Sequence, residues 1–232
     1  SDPLLVIISK GANYPPDKPS KPRGPIAGVT NKTYNFSVST IDPDNNSVRY
    51  EFDLGDNTTT VTPFHPSGEN VTISHNWSID GTYLIKARAY DEYGALSNWS
   101  QPLLFIVDTI KPRINFTSVT ENMVIKGSAN ITVDVDDEHP ARVLFELICK
   151  NQTIDSYNCS NVPYLWILDT EKYNEGEYIL KATAYDIANN TAWSTIHISI
   201  EHPKETPGFE ILLLLTAVIL IALIIRYRRR LV

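Results

Sequence analysis

An eleven-residue motif occurs twice in this chain of 232 residues, and its spacing limits the folds that the chain can adopt. GTYLIKARAYD begins at Gly81 and GEYILKATAYD begins at Gly176, a constant offset of 95 residues, and a Trp-Ser pair follows each copy. A period of this length is too long for one unit of a solenoid and fits one β-sandwich of about 100 residues. The repeat therefore predicts two β-sandwiches in tandem.

Each copy of the motif has the period of a β-strand. In the first copy, odd positions from Tyr83 to Ala89 lie on one face of the predicted strand and even positions from Leu84 to Tyr90 lie on the other. Similar alternating runs are separated by clusters of Gly, Pro, Asn and Asp; they are 34–39, 48–52, 71–75, 131–135, 143–148 and 195–200. The fold class predicted before residue 202 is all-β.

The C-terminal segment has a different character. Residues 209–225 are strongly apolar and carry no charge apart from Glu210, and Arg226, Arg228, Arg229 and Arg230 follow them. At 1.5 Å per residue a helix over this stretch is about 25 Å long, close to the thickness of a bilayer core. A buried core helix is disfavoured, because a helix apolar on every face has no partner beside strands. The arginines place the C-terminus in the cytoplasm and residues 1 to about 206 outside.

Asparagine glycosylation motifs are frequent, as expected of an exported chain. Twelve of the eighteen asparagines stand in Asn-x-Ser/Thr, whereas chance would give about three. Turn residues also cluster for structural reasons, which is the alternative explanation. Asn76 and Asn98 each precede a tryptophan expected to be buried, so we expect them to stay bare. The remaining motifs predict N-glycans at Asn31, Asn35, Asn45, Asn57, Asn70, Asn115, Asn130, Asn151, Asn158 and Asn189.

The two cysteines lie in LICKNQTIDSYNC, where the pattern indicates a strand that turns back on itself. In an oxidising exterior Cys149 and Cys159 are expected to form a disulfide that closes a short loop, a gain of about 2–3 kcal/mol. Two free thiols are the alternative. A metal site is disfavoured, since neither a second cysteine pair nor a nearby histidine completes a ligand set.

Acidic residues form two candidate cation sites. Asp42, Asp44 and Asn46 alternate in one loop and, with Asp53, could supply oxygen ligands to calcium. Asp-Pro-Asp-Asn is also an ordinary turn sequence in which carboxylates accept backbone N–H bonds, and both interpretations stay open. The same two interpretations apply to a second cluster, which consists of Asp134, Asp136, Asp137 and Glu138.

No catalytic motif is found in the sequence. The five histidines are scattered, and neither a nucleophile elbow nor a phosphate-binding loop occurs. The basic tail makes the exterior more acidic than the total charge of −7, which argues against nucleic acid as a partner. Four tryptophans are better explained by packing than by stacking on sugars. Tyr83 and Tyr178 follow a Gly-x-Tyr pattern and are expected to form tyrosine corners.

Several segments in the first half resemble the PKD-type domain, an Ig-like sandwich of archaeal and bacterial surface proteins and secreted hydrolases. They are STIDPDNN at 39–46, YEFDLGDN at 50–57, SHNWS at 74–78 and GTY at 81–83. The family usually has Trp-Asp-hydrophobic-Gly-Asp-Gly in the second segment, where Phe52 replaces Trp and Asn57 replaces the last Gly. These changes keep an aromatic core residue and a turn former. The resemblance covers residues 14–107 and implies that His75 is structural; some domains of this type bind calcium.

Two further resemblances concern the rest of the chain. Residues 108–201 resemble bacterial and archaeal Ig-like repeats, which open with Asp-x-x-x-Pro and end in Ala-Tyr-Asp-x-x-x-Asn. The tripeptide Pro207, Gly208 and Phe209 before an apolar helix and arginines resembles the PGF-type sorting signal of archaeal surface proteins. That resemblance implies processing by an archaeosortase and replacement of the helix by a lipid. A permanent membrane anchor is the alternative.

The sequence therefore predicts a non-enzymatic, glycosylated, membrane-anchored stalk or adhesion module of an archaeal, surface-layer-like cell-surface protein. Its partners would be other surface proteins or carbohydrate. The alternative is the accessory C-terminus of a secreted protease or glycosidase, because the chain begins without Met or a signal peptide and is expected to continue a longer protein. The predicted segments are a lead-in at 1–22, sandwiches at 23–107 and 108–201, a stalk at 202–208, the membrane helix at 209–225 and a cytoplasmic tail at 226–232.

Overall fold

The computed structural model describes residues 12–203, and in this range every regular element except one 3-10 turn is a β-strand. The strands of the first half are β1 (Ala27–Gly28), β2 (Tyr34–Val38), β3 (Val48–Asp53), β4 (Thr59–Val61), β5 (Val71–His75), β6 (Gly81–Asp91) and β7 (Leu103–Val107). Those of the second half are β8 (Arg113–Phe116), β9 (Met123–Ile125), β10 (Ser128–Asp136), β11 (Pro140–Cys149), β12 (Gln152–Cys159), β13 (Tyr164–Asp169), β14 (Gly176–Asp186) and β15 (Thr191–Ile200), with the 3-10 turn at Thr170–Lys172. The all-β class is confirmed for these residues.

The predicted membrane segment and sorting signal lie outside the described residues. These predictions concern the helix at 209–225, the tripeptide Pro207 to Phe209 and the basic tail at 226–232. Between residues 12 and 203, no helix is long and apolar enough to cross a membrane.

The first half packs a five-stranded sheet, in the order β1-β7-β6-β3-β4, against the two-stranded sheet β2-β5. The repeated motif forms the central strand β6, and Ile85, Ala87 and Ala89 are fully buried while the side chains between them face outward. The predicted alternation is therefore confirmed. Trp77 closes the core, with its ring 4.7 Å from that of Phe105.

The second half repeats this arrangement with longer strands. The sheet β12-β11-β14-β15-β9 covers the sheet β13-β10-β8, and a separate apolar core lies between them. The second copy of the motif forms β14, which again lies at the centre of the larger sheet. Each half thus has its own core and is sandwich-like.

Both predicted tyrosine corners are confirmed. The hydroxyl of Tyr83 donates to the carbonyl of Ile79 at 2.7 Å, and that of Tyr178 donates to the carbonyl of Asn174 at 2.8 Å. In each case the acceptor lies four residues upstream, in the turn that leads into the central strand. This bond fixes the direction in which the chain begins that strand.

The connector between the two halves, residues 108–112, forms hydrogen bonds with both of them. Asp80, just before β6, accepts the backbone N–H of Thr109 at 3.2 Å and its hydroxyl at 2.6 Å. From the second half, the side-chain amide of Asn190 donates to the carbonyl of Asp108 at 2.8 Å. The connector is therefore tied to both halves.

The predicted disulfide is wrong, because both cysteines are free thiols. Strands β11 and β12 form the expected hairpin, but Cys149 pairs with Gln152 beside the turn, whereas Cys159 pairs with Val143 at the far end. Six residues of extended strand, about 20 Å, separate these positions. A disulfide requires Cα atoms within about 7 Å, so the strand register excludes the bond.

We expect thiol titration in denaturant to find two free thiols per chain, with or without prior reduction. Reduction should also leave the melting temperature unchanged, since no bond constrains the unfolded chain. Cys159 is buried and Cys149 half-buried, so both should react more slowly in the folded protein. Titration of no thiols before reduction would contradict the observed register.

Candidate cation site in the loop between β2 and β3

Asp42 organises the loop between β2 and β3. Its side chain is 2% exposed. Its Oδ1 accepts the backbone N–H of Asp44 at 2.9 Å and that of Asn46 at 3.1 Å. This is the local turn bonding that Asp provides when it replaces a backbone acceptor. The turn interpretation therefore accounts for one oxygen of this carboxylate.

The second oxygen of Asp42 has no such explanation. Oδ2 is buried and has no hydrogen-bond partner among the described residues. A buried carboxylate oxygen without a partner is costly, and such groups usually face a cation or an ordered water. The loop thus has a donor atom ready for a ligand.

Asp53 does not belong to this loop. It ends β3, six residues of strand away from the loop, where its Oδ1 accepts the N–H of Gly55 at 3.0 Å. Its other oxygen lies 3.3 Å from the ammonium nitrogen of Lys86. Its predicted place beside Asp42, Asp44 and Asn46 is therefore wrong, since the extended strand carries it to the opposite end of the sandwich.

Instead of Asp53, hydrogen bonds link Asn13 and Asp91 to this loop, and sequence analysis had not singled out either as a ligand. Asn13 donates its side-chain amide to Asp91 Oδ2 at 2.6 Å and accepts that of Asn46 at 2.9 Å. The backbone N–H of Tyr14 donates to Asp44 Oδ2 at 2.6 Å. The lead-in segment thus lies between the loop and the end of β6. Asp91 is the last residue of the repeated motif, and this position was the one signal in the sequence that could have identified Asp91 as part of the site.

Asp91 is 1% exposed, and hydrogen bonds from the protein replace those that water would form with its carboxylate. Its Oδ1 accepts the backbone N–H groups of Tyr93 at 2.9 Å and Ala95 at 2.8 Å. Burial tends to raise the pKa of Asp91, but hydrogen bonds from Asn13 and from the following turn outweigh it and hold the pKa below its usual value. The side chain is therefore a carboxylate at neutral pH.

The second half contains an equivalent cluster. The offset of 95 residues takes Asn13, Asp42 and Asp91 to Asp108, Asp137 and Asp186. One carboxylate oxygen from each of the latter three lies within 4.8 Å of the others. Of the second predicted acidic cluster, only Asp137 joins this group, because Asp134, Asp136 and Glu138 are exposed.

Other groups already engage the carboxylates of the second cluster. His139 Nδ1 lies 3.1 Å from Asp108 Oδ2, and Asn190 donates its side-chain amide to Asp186 Oδ2 at 2.6 Å. Burial and repulsion from Asp108 and Asp186 raise the pKa of Asp137, despite a hydrogen bond from the backbone of His139. No orphaned buried oxygen is found here, which distinguishes this cluster from the first.

Comparison with known proteins identifies the first half. The family model of the PKD domain matches residues 21–101. The solved PKD domain of an M14-like peptidase from a Thermoplasmatales archaeon is 34% identical, over 42% of this chain and 100% of that domain, with a TM-score of 0.40. Residues 21–101 are a PKD domain.

Over most of its length, the PKD domain included, the chain is similar to the fibronectin(III)-like modules of Clostridium thermocellum CbhA. The identity is 21% over 78% of this chain and 92% of those modules, and the TM-score is 0.50. At this identity the likeness shows the fold alone. No curated protein matches the chain.

All twelve glycosylation motifs place their asparagine in an exposed position. Asn76 and Asn98 are exposed like the others, and of the tryptophans that follow them Trp77 is buried and Trp99 half-buried. Five of the twelve have a positive φ, which asparagine tolerates in turns; they are Asn31, Asn45, Asn57, Asn151 and Asn189.

Within residues 12–203, the histidine side chains pair with acidic side chains or a backbone carbonyl, and none forms a hydrogen bond with a Ser or Cys side chain. His75 Nε2 lies 2.8 Å from Asp56 Oδ2 at the edge of the PKD domain. The hydrogen bonds of Asp56 to Thr58 and His75 outweigh its burial and lower its pKa. In the second half, His197 Nδ1 contacts Glu121 at 2.7 Å. These are pairs without a nucleophile.

We predict that Asp91→Ala destabilises the PKD domain by about 2–4 kcal/mol, because it leaves the N–H groups of Tyr93 and Ala95 without an acceptor. The stabilisation by this carboxylate is present above the unfolded pKa near 4 and is lost as the pH falls through the lower folded value. Denaturant unfolding should therefore show a smaller difference from the natural protein in acid. The exposed neighbour Glu92→Ala is the matched control, with a change within about 0.5 kcal/mol; equal losses in both variants would refute the role of Asp91.

Proposed function

We propose that this chain is a non-catalytic, N-glycosylated, membrane-anchored extracellular region of an archaeal cell-surface protein, and that it holds an upstream module away from the membrane. The observation that carries the proposal is the exposure of all twelve acceptor asparagines around an extracellular type of domain. Exposure leaves each of these asparagines accessible to a glycosylating enzyme in an exported chain. The second sandwich acts as an Ig-like spacer next to the membrane.

The anchor is the part of the proposal that lies in residues 204–232. An apolar segment of membrane length followed by arginines supports a single span with the sandwiches outside. The tripeptide Pro207 to Phe209 supports recognition by an archaeosortase and exchange of the helix for a lipid. The archaeal source of the similar PKD domain supports this reading.

Intact mass of the protein from native membranes tests both modifications. We expect a mass above that of the chain by several glycans, and loss of the residues after the sorting tripeptide in favour of lipid. Protease added to intact cells should digest the sandwiches. An unmodified mass with complete protection from protease until lysis would refute the proposed topology.

A second candidate function is accessory to catalysis. The similar solved domain belongs to an M14-like peptidase, which favours a secreted hydrolase whose catalytic domain precedes residue 1. The sequence encoded upstream separates the two candidates. A zinc-peptidase or glycosidase motif there would favour the hydrolase, and further β-sandwich repeats would favour the surface protein.

The PKD domain is also proposed to bind calcium at its first loop. Carboxylates of Asp42, Asp44 and Asp91 and the amide oxygens of Asn13 and Asn46 are all hard oxygen donors, the type that calcium prefers. The orphaned Oδ2 of Asp42 supports the fit. Bound calcium would tie the lead-in segment to the sandwich through Asn13 and stiffen the stalk at that point.

We expect calcium to raise the melting temperature of the natural protein and EDTA to reverse this. Ligand at 100 times its dissociation constant adds about 2.7 kcal/mol. Asp42→Asn keeps the Oδ1 acceptor but replaces the orphaned oxygen, so it should abolish the calcium shift.

Asp53→Asn is the matched control for calcium binding, because Asp53 lies at the other end of β3. It should keep the full shift. Equal shifts in both variants, or none in the natural protein, would rule out calcium at this loop.

A further inference from the structure

The outer face of the five-stranded PKD sheet bears alternating cations and aromatic rings. The ammonium of Lys86 lies 4.8 Å from the centre of the Trp99 ring, and the guanidinium of Arg88 lies 4.6 Å from it. The guanidinium of Arg49 lies 5.1 Å from the Phe64 ring and 5.3 Å from the Tyr90 ring. Cation–π contacts of this kind hold side chains flat on the sheet.

Two of the three cations on this face have an acidic partner. Arg88 Nη2 contacts Glu51 Oε2 at 2.9 Å, and Glu51 also accepts the hydroxyl of Tyr90. Lys86 pairs with Asp53 at 3.3 Å. These two cations are neutralised within the sheet.

Arg49 is the exception. Its Nε is buried and has no acceptor, and no carboxylate within the described part of the chain forms an ion pair with it. The guanidinium lies over both the Phe64 and the Tyr90 ring. A planar guanidinium presents a rigid fork of donors that matches a carboxylate in a bidentate geometry.

We propose that Arg49 and Phe64 form a binding site for an acidic sugar, with the carboxylate of a uronic acid on the guanidinium and the apolar side of the sugar ring on the aromatic ring. Phe64 is 45% exposed beside Arg49 and offers the apolar surface that a sugar ring requires. The negative charge of the ligand complements Arg49, the one cation of this face that has no acidic partner.

Glycan placement keeps this surface accessible. None of the strands β1, β7, β6, β3 and β4 contains an acceptor asparagine, whereas the opposite sheet carries Asn35 in β2. The acceptors Asn45, Asn57 and Asn98 lie outside these strands. The face that bears Arg49 is therefore left free of attached sugar along its strands, while the other face is shielded.

Binding of oligogalacturonate to the full chain in detergent, measured by isothermal titration calorimetry, tests the site. Arg49→Gln should weaken binding at least tenfold, since a charged bidentate pair is lost. Arg49→Lys keeps the charge but lacks the fork, so it should also weaken binding, and unchanged binding by this folded variant would overturn the bidentate geometry.

Arg142→Gln is the matched control. Arg142 likewise stacks on an aromatic ring, 3.5 Å from the centre of Tyr185, but it already donates to Asn158 Oδ1 at 3.2 Å. This variant should bind like the natural protein. Neutral oligogalactose should not bind, and equal binding of it would overturn the role of the carboxylate.

A glutamate-rich peptide separates the two sources of carboxylate. We expect it to bind far more weakly than the acidic sugar, because it offers no flat ring to Phe64. Equal affinity would overturn the sugar in favour of a protein partner. Phe64→Ala should weaken the sugar but leave the peptide unchanged, and equal loss of both would contradict the proposed division of the site.

Discussion

The buried carboxylate at the end of each repeated strand holds the segment that leads into its sandwich. Asp91 and Asp186 are each 1% exposed, and a charge at that depth is stable only when hydrogen bonds replace water. Both obtain donors from the turn that follows them. Asp91 also draws in Asn13 of the lead-in segment, and Asn190 joins Asp186 to the connector. The same arrangement of a buried carboxylate and an asparagine therefore occurs twice, 95 residues apart, and fixes the segment that enters each sandwich.

Local pattern was sufficient to predict most of the fold. The alternation in β6 and β14 required only strand geometry, and Gly-x-Tyr gave the tyrosine corners because the bond closes over four residues. Strand ends were less well predicted. The run expected at 143–148 extends over Pro140–Cys149, since Pro140, Ala141 and Arg142 at its start continue the strand without contributing to the apolar alternation.

Long-range register explains the errors. Cys149 and Cys159 are close in sequence and share a hairpin, but pairing within it sets them at opposite ends. Asp53 was assigned to the loop of Asp42 because it is near in sequence, although an extended strand separates them. Asn13 and Asp91 were missed for the converse reason, since these two hydrogen-bonded side chains are 78 positions apart in the sequence. Spacing along the chain cannot supply such contacts.

The two faces of the PKD domain differ in what they offer to their surroundings. The small sheet carries an acceptor asparagine at its surface, and the large sheet carries stacked cations and rings. With the glycan proposed at Asn35, the domain would be shielded on one side and accessible on the other. This division suits a molecule that must resist proteolysis while it keeps one surface available for contact.

The bonds at the connector bear on how the protein responds to force. Asp80 holds Thr109 from one side and Asn190 holds Asp108 from the other, so tension along the chain acts first on these side-chain bonds. The five residues between the sandwiches can lengthen only after the bonds rupture. Under tension the junction would therefore yield in a step, and slack in the connector would be released when these bonds rupture.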